Sequence, residues 1–233
     1  MYKRKVLQRP NDNYLTDSVG SLNSLVPLPE VIAKVAEERK GVRDFLVQDP
    51  EKFRLELLPK SQTGYGVVVK DKVVPFTEDG QATLCRLLKM DPDYFKNFPR
   101  KEEFIEHVKT LLPKYSKGHG GIVLRTVDSG DGGVIRGVVP GDYTIMDDEQ
   151  VLQMLGNVAN ISLRDLKGVM VSSSLWNGSI YRLVFGESVF KRDEIYPTLT
   201  IRNSEVGGPL QVGFGSLRIL CMNGSIGTGK VGT

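Results

Sequence analysis

The stretch Gly121–Val151, GIVLRTVDSGDGGVIRGVVPGDYTIMDDEQV, decides the fold. Ile122–Val127 alternates as a strand does, the glycines and aspartates of SGDGG supply a turn that needs positive φ, and Val134–Val139 returns the chain. Asp142–Ile145 then leads into Asp147-Asp148, which are expected to cap a helix reaching to about Val158.

Working outward, Pro29 stands at a helix start, and Val31, Ile32, Val35 and Ala36 form an apolar stripe that ends at Gly41. Phe53–Leu58, Tyr65–Val69 and Val73–Val74 read as strands, the last two joined by a polar turn at Lys70-Asp71-Lys72. Thr77 is placed to cap a helix whose first turn holds Glu78 and Asp79 and whose apolar face holds Leu84, Cys85, Leu87 and Leu88. Asp91-Pro92 opens a short turn ended by Pro99, and a further helix is predicted over about Lys101–Leu112. Pro113–Gly120, PKYSKGHG, has the composition of a basic linker. Beyond the central helix, Gly168–Leu175, Ser179–Phe185, Pro197–Arg202, Leu210–Phe214 and Ser216–Cys221 are strand-like, with Asn177-Gly178 as a hairpin signal.

The class implied is α+β: a mostly antiparallel sheet with helices packed on one face, the helical elements mainly in the N-terminal half. The expected organisation is an extended leader at 1–28, an α+β portion at 29–113 and a β-rich portion with one helix at 121–233, together one compact domain.

Composition bounds the function. The 233 residues carry a net charge of +3, with 25 % charged and 40 % hydrophobic residues. That balance permits a polyanionic partner without requiring one. No apolar run approaches the ~20 residues of a membrane span, and the N-terminus lacks the apolar core of a secretory signal. Two cysteines, Cys85 and Cys221, fit buried thiols in a reducing cytosol.

No motif carries catalysis. Asp128–Gly133 lacks the oxygen ligands and closing Glu of a calcium loop, and Gly227-Thr228-Gly229-Lys230 lacks the spacing of a phosphate loop. Two histidines, His107 and His119, and no nucleophile elbow give no metal set or triad. The expectation is a non-enzymatic chain without cofactor or metal. An enzyme would need a pocket gathering Asp147, His119 and Cys221.

The basic residues suggest more. Arg125 and Arg136 lie on the two arms of the hairpin, Arg202 and Arg218 on later strands, and Lys114 and Lys117 lead into the hairpin beside Tyr115. On one sheet face they would form a phosphate-tracking stripe, with Tyr115 or Tyr143 available to stack a base. Otherwise they are solvent-side strand residues paired with nearby Asp or Glu.

Three stretches together resemble the domain-of-unknown-function family 932. These are Val74–Pro99 (VPFTEDGQATLCRLLKMDPDYFKNFP), Val134–Leu155 (VIRGVVPGDYTIMDDEQVLQML) and Ile201–Ile226 (IRNSEVGGPLQVGFGSLRILCMNGSI). Gly137, Pro140-Gly141 and Asp148 depart from the family pattern, and the chain looks short at its C-terminus beside it. The resemblance implies a phage- or plasmid-borne gene product in bacterial cytoplasm and brings no catalytic set. The function expected is nucleic-acid binding, with single-stranded DNA favoured, in replication or recombination, by a chain able to form homo-oligomers. The alternative is a protein–protein interaction or assembly module with no nucleic-acid role.

Overall fold

The computed structural model describes residues 25–93, 100–128, 133–162, 166–174, 178–186, 195–219 and 226–230. In chain order its elements are α1 (Leu28–Arg39), β1 (Val42–Val47), β2 (Leu55–Leu57), β3 (Tyr65–Val69), β4 (Lys72–Pro75) and α2 (Glu78–Leu87). Then come α3 (Lys101–His119), β5 (Ile122–Val127), β6 (Val134–Pro140) and α4 (Asp148–Ser162). Last are β7 (Leu166–Ser174), β8 (Gly178–Phe185), β9 (Ile195–Asn203), β10 (Gln211–Ile219) and β11 (Ile226–Lys230). Three sheets result, ordered β1-β5-β6, β2-β3-β4 and β11-β10-β9-β8-β7, and every named pairing is antiparallel. The class is α+β.

The β5–β6 hairpin is buried on both sides, and the two sides differ in chemistry. Ile122 and Leu124 of β5, with Ile135 and Val138 of β6, join a core built from β2–β4, α2 and α3; it includes Tyr65, Phe76, Leu84, Phe104, Val108 and Leu112. The alternate residues Val123, Arg125 and Val127 face the other way. A bulge in the β5–β6 register falls at Arg125/Thr126 and leaves Arg136 between the pairs Thr126–Ile135 and Arg125–Gly137. Both arginines therefore enter the interior.

The outer edge of β6 is closed rather than left for another strand. Phe76 makes a parallel bridge to Ile135, Thr77 N–H donates to the Ile135 carbonyl at 3.0 Å, and Val138 N–H donates to Thr83 Oγ1 at 2.8 Å. Thr77 also caps α2 through Gly80 N–H at 2.9 Å, as its position predicts. The helix lies this close because Gly80 has no side chain: a Cβ there would overlap the Ile135 carbonyl.

In the second half, α1 and α4 lie side by side on one face of the five-stranded sheet. Leu28, Val31 and Val35 of α1 and Val151 and Leu152 of α4 pack on Val169, Tyr181, Leu183 and Ile201. The opposite face carries a smaller cluster of Met170, Val184, Tyr196 and Leu217, with Lys167 Nζ 4.4 Å above the Tyr196 ring.

Several boundaries differ from the sequence expectation. Pro113–Gly120 is no linker: α3 runs through Pro113 to His119 and stops at Gly120, whose φ of 66° makes the left-handed cap. Proline costs a helix one hydrogen bond and a steric clash, but burying Leu112 and Ser116 and packing Tyr115 on the core outweigh it. Residues 29–113 and 121–233 share a sheet, since β1 pairs with β5. The two strands expected at Leu210–Phe214 and Ser216–Cys221 fall on one strand, β10 (Gln211–Ile219), running through Gly215, and β11 has no counterpart in the sequence expectation. The leader residues 1–24, the turn 129–132, residues 94–99, Asn177 and Cys221 lie outside the described residues.

The closeness of α2 to β6 yields a test. Gly80→Ala should lower the urea midpoint by the equivalent of ~1–3 kcal/mol through overpacking, even though alanine favours helix by about 1 kcal/mol. An unchanged or raised midpoint would show that α2 does not touch the Ile135 carbonyl.

Candidate functional site

The structure separates the seven residues proposed for nucleic-acid contact. Arg125 and Arg136 are 0 % and 1 % exposed, so neither can meet a phosphate backbone. This corrects the stripe; of the solvent-side alternative, the pairing with Asp and Glu holds and the exposure to solvent does not. Lys114 and Lys117 are exposed on the last turns of α3, and Tyr115 between them is half-buried, its ring stacked at 4.4 Å on His119. Arg202 is half-buried on β9, and Arg218 holds a position on β10 with its side chain outside the description. Among the described side chains, no common exposed face collects them.

Arg125 instead centres a cluster assembled from both halves of the chain. Its Nε donates to Asp44 Oδ1 of β1 at 3.0 Å, its Nη2 to Asp147 Oδ1 at 2.7 Å, and its Nη1 to the carbonyl of Glu205. Arg39, at the end of α1, pairs with Asp147 and, at 2.8 Å, with Glu205 Oε1. Arg136 Nη2 donates to Glu205 Oε2 at 2.5 Å. Asp148 opens α4 and is bonded from three sides. Ser179 and Tyr181 donate to its Oδ2, the latter at 2.9 Å, and Asn203 Nδ2 donates to its Oδ1 at 2.7 Å. Its own N–H donates to Glu205 Oε1 at 2.8 Å. The side chains of Asp147 and Asp148, at the helix start the sequence predicts, thus hold the cluster.

Three guanidiniums face four carboxylates (Arg39, Arg125 and Arg136 against Asp44, Asp147, Asp148 and Glu205). The surplus negative charge falls on Asp148. Burial, then the charge of Glu205, raises its pKa against the hydrogen bonds it accepts. For Asp147, burial acts upward too, but hydrogen bonds and charge from Arg125 and Arg39 outweigh it and hold the pKa below the usual value. Burial would also lower the Arg125 pKa, yet its bonds to Asp147 and Asp44 raise it.

These directions set opposite pH dependences. Asp147 contributes stability above its unfolded pKa of about 4 and loses it as pH falls through the depressed folded value. Asp148, with a folded pKa above the unfolded one, is most favourable when protonated and costs stability as pH rises through that folded value.

Chemically the cluster is closed. Its carboxylates are bonded to arginines, hydroxyls and an amide, and it is largely sealed from solvent. No group of three or more His, Cys, Asp or Glu among the described residues is placed to hold a metal ion. His119 pairs with Asp142 at 3.1 Å rather than with Asp147. Among the described helices none is long and apolar enough to cross a membrane.

The surface that stands open is elsewhere. On β10, Phe214 is 82 % and Val212 60 % exposed, and Leu210 just before the strand is 41 % exposed. Register shows why this is unusual. Val212 pairs with Ile201 and Phe214 with Leu199, and those pair with Tyr181 and Leu183. Paired residues of an antiparallel sheet point to one side, so Val212 and Phe214 extend the face that α1 and α4 cover farther back. Sequence reading missed this surface. Its signal is the alternation Leu210, Val212, Phe214 against Gln211, Gly213, Gly215, which marks an apolar row without saying what lies over it.

No protein-family model, curated protein or solved structure gives a significant match to the chain.

Two comparisons test the cluster. Arg125→Met should cost about 3–5 kcal/mol, because three acceptors lose a buried charged donor; a loss below ~1 kcal/mol, the usual value of an exposed pair, would place Arg125 at the surface. Across pH 3–8, Asp147→Asn should be less stable than wild type at neutral pH, with the deficit closing below about pH 4. Asp148→Asn keeps its contacts by rotating two hydroxyls and should match or exceed wild type at neutral pH. Equal losses at pH 7 for the two variants would contradict the assignment.

Proposed function

We propose that this protein is a non-catalytic association module whose working surface is the bare face of β10. The observation that carries this is Phe214, a large apolar ring 82 % exposed beside Val212 on a strand whose same face is core two strands away. Scattered exposed apolar residues are ordinary, but contiguous rows mark interaction surfaces. This is the second of the two functions expected from the sequence, and the surface favours it over the first. A nucleic-acid face needs cations beside its stacking ring. The described side chains on this face of β9 and β10 (Pro197, Leu199, Ile201, Val212, Phe214 and Ser216) carry no charge.

The test places a photo-crosslinking phenylalanine analogue at position 214 and, as control, at exposed Lys109 in the producing cells. The expected outcome is a nuclease-resistant protein adduct from 214 alone. In parallel, anisotropy with a labelled single-stranded oligonucleotide should show no binding whose logarithm falls steeply with log salt. A nuclease-sensitive adduct from 214, together with such binding, would return the protein to the nucleic-acid class.

A further inference from the structure

Resting on that reading, we infer that the partner is a second copy of this chain, docked face to face across β10 by a two-fold axis crossing the strands near Phe214.

The first ground is the shape of the gap. Helices packed side by side lie about 8–10 Å apart and strands about 4.8 Å apart. Val35 and Val31 of α1 share a core with Val169 of edge strand β7, and α4 is the next helix along the sheet. The α1 side of α4 is fixed by Gly156, where a Cβ would lie 3.4 Å from Ile32 Cδ1. Met154, two residues away, is ~200° around the helix, so it stands on the opposite flank, toward β9 and β10, and it is 55 % exposed. Among the described residues, the two helices leave the row of Val212 and Phe214 on β10 uncovered. Sheets stack face to face about 10 Å apart, which suits a second sheet set against this one.

The second ground is charge. A two-fold contact brings a patch against itself, so any charge near the axis meets its like. The described side chains of this face are uncharged, which fits an isologous contact between two chains of net charge +3 each. Arg218 stands at the end of the same row, four residues from Phe214 and so ~13 Å along the strand. An axis crossing the strands at Phe214 carries the two copies of Arg218 to opposite ends of the interface.

The third ground is area. Phe214, Val212, Leu210 and Met154 together expose apolar surface on the order of 300–600 Å², the size of the largest patch on an ordinary monomer. Interfaces are roughly 56–65 % apolar. Two such patches with their polar rims then approach the ~1,200–2,000 Å² of a specific complex.

Sedimentation velocity on the purified 233-residue chain, from about 1 to 200 µM, tests the inference. Wild type should move from 25.8 kDa toward twice that mass as concentration rises. Phe214→Asp should remain monomeric with unchanged circular dichroism, its side chain lying outside the core. Leu57→Asp, an exposed apolar position on β2, should dimerise as wild type does. A wild type that stays monomeric throughout, or a dimer that survives Phe214→Asp, overturns the second copy. If the wild type is monomeric and the cellular adduct from position 214 is another protein, the association reading stands and only the partner changes. A monomer with no protein adduct removes both.

Discussion

The Arg125 guanidinium is the contact on which the rest of the molecule depends. It donates at once to β1, to the start of α4 and to the loop after β9. An unpaired charge buried this deeply would cost several kcal/mol, so the interior forms only with all three partners in place. The same arginine fixes the register of the central hairpin. Sliding β5 by one residue would turn Arg125 into the apolar core of Phe104 and Leu124 and set leucine among carboxylates. Apolar packing alone could not make that distinction, because both sides of β5 are buried.

From that joint the position of the open surface follows. Asn203 ends β9 in the cluster with Glu205 just after it, and Asp147 and Asp148 stand there at the start of α4. Helix α4 is thereby tied to the β8–β9 part of the sheet, with α1 held to it through Arg39. Neither helix can shift toward β10 without breaking buried ion pairs. The uncovered row of Val212 and Phe214 is thus the cost of a rigid internal joint, and a rigid apolar face is well suited to bind a partner without ordering itself first.

Much of the fold was legible in the sequence because local chemistry and tertiary packing agree there. The Thr77 cap, the Pro29 helix start, the alternation of Ile122–Val127 and the strands at Tyr65–Val69 and Ser179–Phe185 each carry their own signal. The failures share a cause. Pro113 and the glycines of PKYSKGHG signal a break, and only the burial of Leu112 and Ser116 overrules them. Gly213, Gly215, Gly227 and Gly229 give weak strand signals, and pairing in a five-stranded sheet decides their state. The candidate site was least legible. Arginine on a strand usually faces water, and nothing near Arg125 announces that Glu205, eighty residues on, completes its shell. The bulge that turns Arg136 inward is likewise invisible to strict alternation.

Hydroxyl-radical footprinting of the dilute protein tests the central claim most directly, since it reads the exposure of each aromatic ring in one experiment. The account predicts that Phe214 is labelled at the rate of an open ring while Tyr65, Phe104 and Tyr181 stay silent. A silent Phe214 in the dilute monomer would mean that the chain covers β10 itself, and the association surface would have to be sought elsewhere.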